Sequence, residues 1–145
     1  MSLTDKIQAL KKARNAVILA HYYVPDEVQA VADYIGDSFY LSKLARDTDA
    51  DTIVFCGVSF MGESAKILSP EKTVLMPDPA ADCAMAHMAD FIKIKEMRKK
   101  YDDLAVVCYI NSTAEMKTYS DVSMPTTIIS LGQFSRNSFM PQDLP

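Results

Sequence analysis

Four short apolar runs, at 16–20, 52–56, 73–76 and 104–110, constrain the fold of this chain more than any other feature. Each is continuously apolar rather than alternating, and each is too short for a core helix. A strand covered on both faces has that pattern, and such strands belong to parallel sheets. The segments between them carry helical spacing. Ser2 followed by Asp5 marks an N-cap, after which Leu3, Ile7 and Leu10 share a face up to Lys11 and Lys12. Pro25 and Asp26 open a second helix with Val28, Val31, Ala32 and Ile35 on one side, closed by Gly36. Asp37 or Ser38 caps a third, with Leu41, Leu44 and Ala45 inward, and a fourth runs from about 61 to 68 before Ser69-Pro70. Pro77 and Pro79 make 78–83 an irregular loop. Met88, Phe91, Ile92, Met97 and Tyr101 mark a longer helix with a Lys-rich outer face, and Asn111-Ser112-Thr113 start a short one. Strands alternating with helices through right-handed crossovers predict a three-layer α/β/α domain with a four-stranded parallel sheet. No internal sequence repeat is visible. After Val122 the texture changes: a weak strand is expected at 128–129, and the rest lacks periodicity. The expected division is one domain over 1–122 and a divergent, poorly ordered tail over 123–145.

With 49% apolar and 23% charged residues among 145, the chain has the material for an ordinary core. A net charge of −4 and the absence of a basic stripe argue against nucleic acid as a partner. No run approaches a membrane span, and the opening residues lack the apolar stretch of a secretory leader. Three cysteines without a CxxC pair indicate neither a disulfide framework nor a zinc knuckle. A cytoplasmic location is the expectation.

In open parallel sheets, ligands bind beyond the C-terminal ends of the strands, and the unusual residues of this chain fall there. His21 and Tyr23 follow the first run, Gly57 and Ser59 the second, Asp78 and the Cys83 loop the third, and Tyr109, Asn111 and Ser112 the fourth. His21 could transfer a proton or stabilise an oxyanion; the plain alternative is a strand-end histidine bound to backbone. Tyr23 and Tyr109 offer phenolic donors for a keto or enediol substrate, or simply edge the core. Ser38, at a helix start, could hold phosphate with the free amides there, although plain helix capping is the favoured reading of the sequence alone. Asn111, Ser112 and Thr113 form a second candidate cradle of the same kind. Cys56 and Cys108 lie within apolar runs and read as small buried hydrophobes. Cys83 lies in a loop, where it could be a nucleophile or a metal ligand, and one thiolate cannot hold a cluster alone. The methionines at 61, 85, 88 and 97 read as core filling.

Three strings carry a resemblance to a known family. They are Ile18-Leu19-Ala20-His21-Tyr22-Tyr23-Val24-Pro25 through to Asp37-Ser38, Gly57-Val58-Ser59-Phe60-Met61-Gly62-Glu63-Ser64 through to Cys83, and Tyr109-Ile110-Asn111-Ser112-Thr113 through to Asp121-Val122. Over about residues 1–122 the chain resembles the N-terminal part of the quinolinate synthases. The resemblance implies three similar α/β domains around a pseudo-threefold axis, each giving one cysteine to a [4Fe-4S] cluster whose last iron site stays open for substrate. It implies a transferase of NAD biosynthesis that condenses iminoaspartate with dihydroxyacetone phosphate to quinolinate. Carried over by position, Cys83 matches the first cluster ligand, and His21 and Tyr23 match residues of isomerisation and proton transfer. Ser38 matches a ligand-binding serine, and Tyr109 and Asn111 match substrate contacts. Gly62 stands where the family has alanine. Ser123-Met124-Pro125-Thr126-Thr127 replaces a segment with a phosphate-binding serine, whose place Thr126 takes. The family's other cluster cysteines have no counterpart here, so the expectation is a truncated or frameshifted fragment, inactive and without a cluster on its own. The alternatives are a small phosphate-metabolite-binding module, or one subunit of a split synthase completed by a second chain.

Overall fold

The computed structural model describes residues 2–124. α1 (Leu3–Ala13) opens with a reciprocal cap, the Asp5 N–H donating to Ser2 Oγ and the Ser2 N–H to the Asp5 carboxylate. Asn15 then takes a left-handed backbone turn (φ 44°), which asparagine tolerates, and its carbonyl accepts from Asp51 and Thr52. That turn delivers the chain into β1 (Ala16–His21) beside β3 (Thr52–Cys56). α2 (Asp26–Gln29) leads to β2 (Tyr34–Gly36), α3 (Ser38–Asp47) to β3, and α4 (Ser59–Leu68) to β4 (Thr73–Leu75). The four strands form a parallel sheet in the order β2-β1-β3-β4, with Ala20 opposite Ile35 on one side and Cys56 on the other.

The expected three-layer arrangement around a four-stranded parallel sheet is what forms. α1 joins the α2 side through Gln8 to the Val31 carbonyl and Lys11 to Asp33, while α3 and α4 pack together. The core lies between the sheet and that helix pair: Leu19, Leu41, Ala45, Ile53, Phe55 and Ala65 are fully buried. Lys72 ties the layers at one end, its ammonium reaching the carbonyls of Ala45, Arg46 and Thr48 at the close of α3.

The membership of the sheet differs from expectation. The run at 104–110 shortens to β5 (Val107–Tyr109) and does not join the main sheet. It follows α5 (Phe91–Lys100) and pairs in parallel with β6 (Val122–Met124), across α6 (Ala114–Thr118). The fourth strand is β2 instead, in a stretch whose spacing predicts the end of a helix. Asp33 is the reason. Its N–H donates to the Ile18 carbonyl (2.8 Å) and its carboxylate accepts the Ile18 N–H (2.8 Å), so helical continuation gives way to an edge strand. α1 and α5 bury no residue fully; Leu3 and Leu10 are exposed, as are Met85, Met88 and Met97, so of those four methionines only Met61 fills core.

A structural repeat underlies the two sheets. β1-α2-β2 and β5-α6-β6 match a constant 88 residues apart, as Ile18 and Val106 or Asp33 and Asp121 are. The Asp121 N–H donates to the Val106 carbonyl and its carboxylate accepts the Val106 N–H, both at 2.8 Å, duplicating the Asp33 device. Even the ion pair recurs, Lys11 to Asp33 and Arg98 to Asp121. Between 16–36 and 104–124 only Glu27/Glu115 and Asp33/Asp121 are identical, which is why the sequence alone hides the repeat. The weak strand expected at 128–129, and the tail around it, lie outside the described residues. Among the described residues no helix is long and apolar enough to cross a membrane.

Candidate functional site

The connection leaving β1 runs outward to β2, and the one leaving β3 runs the opposite way to β4. A crevice opens between the C-terminal ends of two such strands. Here it is a cleft of about 990 Å³, bordered by His21, Tyr22, Tyr23, Ser38, Cys56, Cys83, Tyr109 and Asn111 among others. His21, Tyr23, Ser38, Cys83, Tyr109 and Asn111 therefore meet around one cavity, supplied by the end of β1, α3, the 78–87 loop and the β5 unit, whereas Ser59, Ser112 and Thr113 do not line it.

His21 ends β1 and is only 6% exposed. The Tyr23 N–H donates to its Nδ1 (3.3 Å), so the neutral ring carries its proton on Nε2. The Tyr22 ring stacks on it with centroids 4.3 Å apart. Burial pushes the imidazole pKa down, against an opposing pull from Asp37. In the window just below about pH 6.5 the unfolded chain therefore binds a proton that the native His21 refuses, and stability falls as pH falls. Urea unfolding between about pH 5 and about pH 7 is expected to show that slope, and His21→Gln to flatten it. An unchanged slope would place the titrating group elsewhere.

Tyr23 stands at the mouth, 81% exposed, on a turn held by Gln29, whose amide donates to the carbonyls of Tyr22 and Val24. Ser38 is buried at the first turn of α3; the preceding Asp37 performs the capping, accepting from the Tyr40 N–H (2.8 Å). Gly57 leaves room at the floor for Met61, whose Sδ would stand 2.8 Å from a Cβ placed there and would have to move. Cys56 borders the cleft and is only partly buried, in contrast to the fully buried residue expected, though burial still pushes its thiol pKa up. Cys108 is buried as expected, against Ser123.

The second cradle does not form as the sequence suggests. Ser112 Oγ donates to the Tyr109 carbonyl, Thr113 caps α6, and the Glu63 carboxylate takes the Ala114 N–H (2.6 Å) where an anion would sit. Lys117 closes the same corner, donating to Ser64 Oγ and the Ser112 carbonyl. Of the three cradle residues only Asn111 borders the cleft, and its Oδ1 is buried without a hydrogen-bond partner among the described residues. A donor on a bound molecule would satisfy it.

One functional neighbourhood escaped the sequence reading. The Asp82 carboxylate accepts from the Cys83 N–H (2.8 Å) and from Ser59 Oγ (3.0 Å), and pairs with His87 Nε2 (2.8 Å). Those bonds, the Cys83 amide first, hold its pKa below the usual carboxylate range. No spacing rule could have found this, since Ser59 reaches Asp82 only through the fold. Asp37, Asp78 and Asp82 give the cleft an acidic border, and no Lys or Arg lines it among the described residues. Among those residues, no group of three or more His, Cys, Asp or Glu could hold a metal ion. A four-iron cluster needs several thiolates; the cleft offers Cys83, and Cys56 is disfavoured by burial, so this donor set alone does not fit one.

The family model described as quinolinate synthetase A protein matches residues 5–130. The chain is 61% identical over 125 residues to the quinolinate synthase of Fusobacterium nucleatum subsp. nucleatum, and 57% over 125 residues to that of Clostridioides difficile. It is 54% identical over 122 residues to that of Thermococcus kodakarensis. These matches take in 86%, 86% and 84% of this chain but 42%, 41% and 40% of the relatives. The chain thus spans about two fifths of the length of the curated relatives it matches.

Proposed function

We infer the function from one premise: the chain belongs to the quinolinate synthetase A family. It carries part of a quinolinate synthase site, for the condensation of iminoaspartate with dihydroxyacetone phosphate in a reduced, cytoplasmic setting. His21, with its proton on Nε2, and Tyr23 exchange protons with the keto and enol forms of the substrate. The hydroxyls of Ser38 and Tyr109 and the amide of Asn111 hold its oxygens. Cys83 supplies one sulfur to a [4Fe-4S] cluster whose other ligands come from elsewhere.

What supports this reading is the convergence of those six residues on a single cleft whose Asn111 oxygen lacks a partner among the described residues. The acidic border, with no cationic side chain lining the cleft among the described residues, argues that a phosphate ester needs further groups to be held firmly.

The test is a hybrid in which the segment of this chain matched by the family replaces its counterpart in the Fusobacterium nucleatum enzyme. After anaerobic reconstitution the hybrid is expected to form quinolinate. His21→Gln in it is expected to lower kcat by about 10²–10⁴-fold, the usual range for removing a general acid–base group. The 145-residue chain alone is expected to form none, because one cleft thiolate does not complete the cluster. An inactive hybrid beside an active parent enzyme would refute the functional reading, and turnover by this chain alone would refute the need for outside ligands.

A further inference from the structure

We propose that Asp82 is a positioning residue that presents the Cys83 sulfur to the cleft. The significance of that sulfur as an iron ligand rests on the functional reading above; the positioning itself does not. Cys83 sits in a stretch without regular structure on its N-terminal side, between the prolines at 77 and 79 and the short 3₁₀ turn Ala84–His87. On its C-terminal side the stretch is held by Ala86, buried in the core cluster against which Cys83 packs, and by the Ala86 N–H on the Cys83 carbonyl (2.9 Å); the N-terminal side has few backbone bonds of its own. Asp82 does the fastening from three directions. Ser59, the first residue of α4, donates its hydroxyl to Oδ1, and its N–H donates to the Ala81 carbonyl (2.9 Å), anchoring the loop to a helix rooted in the core. The same Oδ1 accepts the Cys83 N–H, which fixes the backbone that carries the thiol. Oδ2 holds His87 at the far end of the 3₁₀ turn, so the residues on both sides of Cys83 are tied to one carboxylate.

Asp82 itself is exposed and supplies no group to the cleft beyond its carboxylate. Its contribution is therefore the set of bonds it accepts. Gln, Glu or Ala at 82 would lose the one-residue reach by which Oδ1 serves both its own successor and Ser59.

The experiment measures alkylation of Cys83 by iodoacetamide in the 145-residue chain. Rates are read on the alkaline plateau, where the thiol is fully ionised, and resolved by peptide mass mapping with buried Cys108 as internal reference. Asp82→Ala is expected to raise the Cys83 rate at least about tenfold as the loop is released. Asp82→Asn keeps an oxygen that accepts from both Cys83 and Ser59, and is expected to stay within about threefold of the parent. Equal acceleration in both variants would mean that charge, not geometry, is at work, and no acceleration in Asp82→Ala would show the loop is held otherwise; either result overturns the proposal. Should Asp82→Ala fail to fold, Ser59→Ala removes the anchor while leaving the carboxylate, and an unchanged rate there has the same force. Alkylation needs neither cluster nor substrate. An inactive hybrid with the expected alkylation pattern would thus remove the functional reading and leave the role of Asp82 standing.

Discussion

Phe55→Ala is expected to cost about 3–5 kcal/mol of folding free energy, the range for deleting a fully buried aromatic ring. Phe55, the fourth of the five residues of β3, has no exposed surface and lies in the cluster that includes Leu19, Leu41 and Phe60. Its ring also supports the cleft floor: Cε1 stands 3.5 Å from where a Cβ on Gly57 would be, beside Met61. The cavity left by alanine would therefore open beneath the binding surface as well as within the core. Urea denaturation followed by circular dichroism measures the loss, which suits a chain without tryptophan. A loss no larger than that of Ile53→Val, about 0.5–1.5 kcal/mol, would show that this part of the core is not close-packed.

Asp121→Ala is expected to act locally and almost completely. The β5–β6 pair has three residues per strand and no third strand among the described residues, and two-stranded sheets are marginal by themselves. The Asp121 carboxylate bonds the Val106 N–H and the Arg98 guanidinium, and hydrogen bonds to charged groups contribute about 1.5–3 kcal/mol each. Its loss should open the small sheet and carry Tyr109 and Asn111 away from the cleft. Hydrogen exchange is the measurement: amides at 107–109 should lose their protection while those at 16–21 keep theirs. Global unfolding at the same time as local opening would contradict the independence of the two sheets. So would retained protection at 107–109. The matching change Asp33→Ala strikes the same device in the main sheet, where a larger core stands behind it.

Much of this was legible in advance. Ser2 with Asp5, Asp37 before Ser38 and Thr113 before Ala114 all cap helices where the residues indicate, because a cap needs only its own next three amides. The strand at 52–56 is as expected, since a continuously apolar run of that length has few alternatives. The side of the sheet on which the cleft lies also followed from the sequence, because ligand crevices in such a fold open beyond the C-terminal ends of its parallel strands. What escaped were pairings over distance. The Val28, Val31, Ala32 and Ile35 face looks helical, and it is overridden by two hydrogen bonds between Asp33 and Ile18, one donated by each backbone N–H. Ser112 and Thr113 look like an anion cradle until Glu63, far upstream, fills it.

The residues by themselves determined the local conformations, the α/β class and the end of the sheet at which chemistry gathers, since apolar periodicity and capping act over a few neighbouring positions. Only the tertiary structure decided which strands share a sheet, that an aspartate-locked unit occurs twice with almost no shared sequence, and that Asp82 governs the loop of Cys83. Those outcomes involve hydrogen bonds between residues 15 to 23 positions apart, and a one-dimensional pattern carries no record of which partners the fold will bring together.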